Sequence, residues 1–326
     1  KYALGLTYTT DDDYVVTADL LVTHKNDSAV VKNLADAQVA TAPDGRPVYD
    51  SVNHSRNSDF LLTNVKGRDA ESTVVSFGIN KTFDNGLKFS ASYAFTEALD
   101  VHPMTSSVAF SNYHNIAVSD PENPQLSRSN YEIPHRFTLN LAYTHEFMEG
   151  YATKINLFGQ ANEGRPYGYS FTSRTNGLGF NNSDRQLLYV PLMDDPTVVY
   201  ADGFNIGAFN DFIASEGLED YRGQIMPRNA LDSDWWVKFD LRVEQEFMGF
   251  SEDHKASAFL VLENVGNFIK DDWGVMKQGN LLQGAIEAHI TDDGQYSYDR
   301  YTIPTPQSRS DSASQWEIRV GVKYKF

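Results

Sequence analysis

Hydrophobic and polar residues alternate with a period of two along most of this chain. Trp235, Val237, Phe239, Leu241 and Val243 occupy one register, while Trp236, Lys238, Asp240, Arg242 and Glu244 occupy the other. The last segment repeats the split, with Trp316, Ile318, Val320, Val322, Tyr324 and Phe326 set against Glu317, Arg319, Gly321, Lys323 and Lys325. So do Phe137, Leu139, Leu141 and Tyr143 against Arg136, Thr138, Asn140 and Ala142, and Val75, Phe77 and Ile79 against Ser76, Gly78 and Asn80. Successive side chains of a strand point to opposite faces, so each segment predicts a strand with one apolar and one polar side. Helical spacing is nearly absent, apart from a weak pattern over Phe209–Ala214.

Nine strands are predicted, near 1–9, 14–25, 73–83, 87–97, 134–147, 151–163, 235–247, 255–265 and 314–326. Most have about the 9–11 residues that a tilted strand needs to cross a bilayer. The connections run 4, 47, 3, 36, 3, 71, 7 and 48 residues, short and long in strict turn. Antiparallel strands send alternate connections to opposite ends, so all the short turns lie at one end and all the long loops at the other. A soluble sandwich has no physical reason for that asymmetry. A barrel of the bacterial outer membrane does, with short periplasmic turns, long extracellular loops, an apolar outside and a polar lumen. The predicted fold class is therefore all-β, a transmembrane antiparallel β-barrel domain over residues 1–326, with long extracellular loops near 26–72, 98–133, 164–234 and 266–313. Val237, Phe239, Leu241, Ile318, Val320 and Val322 should face lipid; Arg136, Lys238, Asp240, Arg242, Glu317 and Arg319 should face the lumen. Asn85-Gly86 suits a tight hairpin, and Phe83, Phe147, Tyr151, Phe247 and Tyr324 beside the short turns read as an interfacial aromatic girdle.

Composition narrows this picture. The longest uninterrupted apolar run is Ala258–Leu262, far short of the roughly 20 residues of a membrane helix. Of the 326 residues, 44 are acidic and 27 basic, a formal charge of -17, which argues against nucleic acid as a partner. The four long loops hold 28 of the acidic and 15 of the basic residues, so the acidity gathers at one end, as a solvated surface or as an attractor of cations. There is no Cys, and the chain contains no G-x-S-x-G, Walker, H-E-x-x-H or G-x-G-x-x-G pattern, so no enzyme is expected. The stretch Lys1–Thr9 already alternates like a strand, so the chain is expected to begin inside a folded element.

The longest loop, 164–234, is the candidate ligand-binding mouth. Tyr167, Tyr169 and Phe204 offer aromatic surface, and Arg174, Arg185 and Arg222 offer charged donors. The same aromatics would equally well pack the loop onto its neighbours. Asp184, Asp194, Asp195 and Asp202 are candidate oxygen ligands for Ca²⁺, without EF-hand spacing.

Several motifs also resemble a known family. Ser129-Asn130-Tyr131-Glu132-Ile133-Pro134-His135-Arg136-Phe137 opening a strand resembles the C-terminal barrel of TonB-dependent outer-membrane transporters, in particular their Oar-like branch. So do Tyr221-Arg222-Gly223, Arg228-Asn229 and Asp240-Leu241-Arg242 in that order, over roughly residues 60–326. Glu263-Asn264-Val265-Gly266-Asn267 is similar to that family's penultimate strand, and Tyr324 with the terminal Phe326 to its barrel-assembly signal. The resemblance implies a barrel of about 22 strands around a plug domain, of which this chain would hold the C-terminal nine or so strands and not the plug. It implies active transport of a large or scarce ligand. The implied partners are membrane lipid and lipopolysaccharide, the barrel-assembly machinery, the remaining N-terminal part of the protein, and through that part the TonB complex. Nine is an odd number, where bacterial single-chain barrels have even ones, as expected of a portion. A passive porin or adhesin barrel shares the periodicity and stays open as an alternative, as does, more remotely, a barrel enzyme.

Overall fold

The structure, a computed structural model, describes residues 1–51, 59–175, 178, 184–251 and 253–326. Nine long strands form one antiparallel sheet in chain order: β1 (Tyr2–Thr9), β2 (Val15–Lys25), β3 (Ala70–Thr82), β4 (Leu87–Asp100), β5 (His135–Met148), β6 (Tyr151–Asn162), β7 (Trp236–Met248), β8 (Lys255–Glu263) and β9 (Glu317–Lys325). Each pairs with its neighbours in sequence, so the sheet is a simple meander whose two edges are β1 and β9. A two-residue strand, Ser127–Arg128, extends the far end of β4.

The register carries the alternation across the whole sheet. Phe89, Leu141, Leu157, Leu241, Leu262 and Ile318 are successive cross-strand partners and form one apolar row. One residue along, Lys88, Ala142, Asn156, Arg242, Val261 and Arg319 form a row on the opposite face. Both sets named from the sequence thus fall on opposite faces of the sheet. The apolar face is bare: Phe77, Phe137, Val237, Phe239 and Ile318 are exposed, and Val320 and Val322 reach 76% and 83%.

Two predicted strand ends differ. The strand expected to reach residue 265 stops at Glu263, and Val265–Ile269 is a short helix. Asn264 takes φ 53°, a left-handed conformation that ends the pleat, and its side chain caps the helix through Asn267 N. The penultimate-strand reading of Glu263–Asn267 is corrected accordingly. The final strand starts at Glu317, and Asp311–Ser314 before it is one helical turn.

The buried hydrophobic core lies in the long loops. The first contains two hairpins, Ser28–Asn33 with Phe60–Val65 and Asp36–Thr41 with Pro47–Ser51. The third and fourth jointly build a four-stranded sheet in the order Ser170–Phe171, Gly284–Ile290, Tyr296–Tyr301, Val198–Tyr200. Helix Ile206–Ser215, capped by the Asn205 side chain on Ala208 N, buries Phe209, Phe212 and Ile213 against this sheet. Ala42 and Val48 of the first loop enter the same core. The sheet leaves many of its apolar side chains bare, while the largest fully buried side chains all belong to the loops.

Candidate functional site

On the polar face of the sheet, charged residues from β6 to β9 pair in three successive groups. Lys154 Nζ lies 2.7 Å from Glu246 Oε1, and Lys255 Nζ 3.8 Å from the other oxygen of that carboxylate. Arg242 bonds Glu244 at 2.5 Å, with Ser257 Oγ donating to the same carboxylate at 3.0 Å and Lys323 at 3.7 Å. Towards the loops, Lys238 lies 3.3 Å from Asp240 and 3.9 Å from Glu263, and Arg319 bridges Glu263 at 2.8 Å and Glu317 at 2.7 Å. Arg136 stands on this face too, between its register partners Ala94 and Asn162. All six residues expected to face the lumen therefore share one polar surface.

Where the strands meet the loops, a polar collar ties the second and third long connections together. Arg128 donates to Glu132 at 2.8 Å and bridges Asp232 at 2.5 Å; Glu132 Oε2 also accepts from Ala98 N at 2.6 Å. Arg228 Nη2 bonds both Asp100 O and Asp100 Oδ1 at 2.6 Å. Asn229, at φ 59°, donates to Asn130 Oδ1 at 2.6 Å and to Arg128 O at 2.8 Å. The motifs Ser129–Phe137 and Arg228–Asn229 thus touch, about a hundred residues apart in sequence. Sequence reading picked out both motifs but not their contact, because no spacing rule links residues on different loops.

Above the collar the four loops close into a cap. Arg46 and Asp44 form a fully buried ion pair at 2.6 Å, and Arg46 Nη1 reaches Gln186 Oε1 at 3.2 Å, joining the first loop to the third. Burial opposes the Arg46 charge most strongly, yet the buried Tyr296 and the Asp44 carboxylate together leave its pKa raised. The Tyr113 hydroxyl of the second loop lies 2.9 Å from Asp36 and 2.8 Å from Glu122, its single proton placed between the two carboxyl groups, and the Arg185 guanidinium lies over its ring at 4.6 Å.

The candidate ligand residues must be corrected in this setting. Tyr167, Tyr169 and Arg185 are buried inside the cap, not displayed at its mouth. The hydroxyls of Tyr167 and Tyr169 both donate to Glu216 Oε2, at 3.1 and 2.8 Å. Burial, reinforced by that carboxylate, pushes the Tyr167 hydroxyl up to about 12. Half-buried Phe204 packs on Phe209 and Tyr200. Arg222 is spent on Glu219 at 2.7 Å, Pro191 O and Asn210. Arg174 is exposed. A 71-residue loop needs a core to hold a shape, and its aromatics supply it. The four candidate calcium ligands are not brought together, and among the described residues no group of three or more His, Asp or Glu is placed to hold a metal. Asp195 already accepts from Leu192 N, Thr197 N, Thr197 Oγ1 and Tyr189 OH, an Asx-turn arrangement that fills its lone pairs and holds it below the usual carboxylate range.

Among known families, one described as an outer membrane beta barrel domain matches residues 37–261, from the first long loop through most of β8. The chain belongs to this family. No curated protein and no solved structure matches it. As an outer membrane beta barrel domain, it is integral to the bacterial outer membrane and its bare apolar face is the lipid face. In an outer membrane beta barrel domain the strands make the crossing; no helix among the described residues is long and apolar enough to cross a membrane.

The cap of this outer membrane beta barrel domain carries its own acid sensitivity. Burial, with the Arg185 charge adding to it, lowers His114 from 6.5 to about 4. The ring packs on Phe110 at 4.3 Å. Between these two values the unfolded loop binds more protons than the folded one, so stability is full above pH 6.5 and falls as pH drops towards 4. Glu122 works in the opposite sense, since burial raises its carboxyl and acidification relieves that cost. We expect His114→Gln to remove about 1–2 kcal/mol of acid destabilisation, discounted for the partial exposure of the ring. Limited proteolysis of the cap between pH 7 and pH 4 checks this: wild type should become markedly more cleavable and the variant much less so.

Proposed function

We propose that this barrel domain is the C-terminal part of a TonB-dependent transporter that moves a large or scarce ligand across the outer membrane. The observation that carries the reading is the co-folded cap. The first, third and fourth long loops condense at one end of the sheet around a shared buried core, with the second held against them through Tyr113, above a polar face lined with paired charges. A passive pore works best with an open mouth, whereas a scarce ligand calls for a shaped external surface held on a rigid scaffold. The motif order around Ser129–Phe137, Arg228–Asn229 and Asp240–Arg242 supports energised transport and a plug carried by the remaining N-terminal part. In this reading, β1 and β9 pair with strands of that remaining part, because open edges are not tolerated in hydrocarbon. TonB engages the plug side, the barrel-assembly machinery reads Tyr324 and Phe326, and the domain carries out transport and no catalysis. Ligand contact falls to residues on the outside of the cap, Arg174 among them.

The deciding experiment compares the small molecules removed from the medium by cells with and without the gene, each in strains with and without TonB. Gene-dependent uptake should fall to background when TonB is absent. Uptake that persists unchanged without TonB rejects the proposal in favour of a passive pore.

A further inference from the structure

The free edge of β9 carries a charge pattern that its inner neighbour does not satisfy. Two like-charged pairs face each other directly across β8 and β9 on the polar side: Glu263 with Glu317 towards the cap, and Lys255 with Lys325 at the opposite end. Like charges in that position repel. The glutamates are bridged, because Arg319 reaches Glu263 at 2.8 Å and Glu317 at 2.7 Å. The lysines have no such bridge. Lys255 leans towards β7, with Glu246 at 3.8 Å, and Lys325 forms no ion pair with any described residue. Lys323, two residues earlier on the same face, lies 3.7 Å from a Glu244 carboxylate that already bonds Arg242 and Ser257, and its side chain is 62% exposed.

At the end of β6 to β9 away from the cap, Lys154, Arg242, Lys255, Lys323 and Lys325 stand on this face against Glu244 and Glu246. A chain of formal charge -17 thus keeps a local excess of cations, and the outermost of them sit on a strand with no neighbour on its far side. Strand β1 does not supply the missing charge. On its polar side it offers Ala3, Gly5 and Thr7, with no carboxylate among them. In a meander of nine antiparallel strands β1 and β9 also run the same way. Strand β1, of this chain or of a second copy, therefore meets β9 only in parallel, against the antiparallel order of bacterial barrels. A second β9 would set lysine against lysine.

We propose that β9 is a charge-coded docking edge. It takes an antiparallel strand that carries Asp or Glu at the two lumen-facing positions opposite Lys323 and Lys325, and apolar residues on the lipid side. Those positions are two residues apart, about 7 Å along the strand, so both carboxylates lie on one face of the incoming strand. Cross-strand pairs of opposite charge favour this register over a slip by one residue, which would turn the carboxylates towards lipid. This assignment rests on the reading that strands outside residues 1–326 complete the barrel, and adds the chemistry by which the joining strand is recognised.

The test uses the complete protein in outer-membrane vesicles, treated with a water-soluble carbodiimide, which couples a lysine amine to a carboxylate in contact with it. Mass spectrometry of the digest should find Lys323 or Lys325 joined to an Asp or Glu outside residues 1–326. Lys323→Arg combined with Lys325→Arg keeps both charges but offers no amine. Its cross-linked peptides should fall to background, while hydrogen exchange at the β9 amides that β8 does not bond stays as slow as in wild type. Slow exchange at those amides in a wild-type protein whose Lys323 and Lys325 couple to nothing beyond Glu244 and Glu246 overturns the charge assignment alone. Fast exchange there overturns the completion of the barrel by an outside strand, and the docking edge with it. The wild-type cross-links decide the matter if the arginine variant does not assemble.

Discussion

Replacing Leu241 by Arg should destabilise the folded protein in the membrane by about 2–4 kcal/mol, the cost of a lipid-facing cation near the bilayer midplane. Leu241 stands in the middle of the row from Phe89 to Ile318, with leucines as its partners on both adjoining strands. An arginine there has no carboxylate within its row. Arg242→Leu, one position along, faces the polar side and loses its 2.5 Å contact with Glu244, while Lys323 at 3.7 Å still partners that carboxylate. Its cost should be the smaller of the two. Equilibrium unfolding in urea from phospholipid vesicles measures both. Equal costs for the two substitutions would contradict the assignment of the faces.

The second large effect is expected in the cap. Phe209 is fully buried and meets Phe204, Phe212, Tyr298 and Tyr301 within 5.6–6.3 Å. Phe209→Ala removes that hub and leaves a cavity, at a cost of about 3–5 kcal/mol. The loss should fall on the loops alone, because the nine-strand sheet is held by its own ladder of hydrogen bonds. Protease should then cut within 164–234 and 266–313 while the barrel keeps its heat-modifiable migration on gels. Loss of the barrel form together with the cap would show that the two layers are not separable.

The sheet was legible in the sequence because its strands are long, half-lipid and half-lumen, and the period of two survives over 8 to 14 residues. The cap was not. Several of its strands, Ser170–Phe171 and Val198–Tyr200 among them, are two or three residues long, too short for any period, and their partners lie about a hundred residues away. Helix Ile206–Ser215 showed faintly through Phe209, Phe212 and Ile213, since only one side of it is buried. The side of the candidate site formed by β6 to β9 followed directly from alternation. The cap residues misled for a chemical reason: Tyr167, Tyr169 and Arg185 are of the types that bind ligands, and of the types that fill and cross-brace a polar-rich core. Composition does not separate those uses; burial does. The helix after Asn264 was hidden because a left-handed asparagine continues the apparent alternation through Val265 while ending the strand.

The cap's sheet also dictates an order of events during biogenesis. Gly284–Ile290 pairs in parallel with Ser170–Phe171, and Tyr296–Tyr301 in parallel with Val198–Tyr200. Parallel partners so distant along the chain meet late, since loop closure must be met before the contacts form. The third loop therefore waits, with half a core, until the segment between β8 and β9 has crossed to the outside. A barrel stalled before its last hairpin would present Phe171, Phe209 and Phe212 to the cell surface. The same residues that lock the finished cap would then mark an unfinished one as a target for surface proteases.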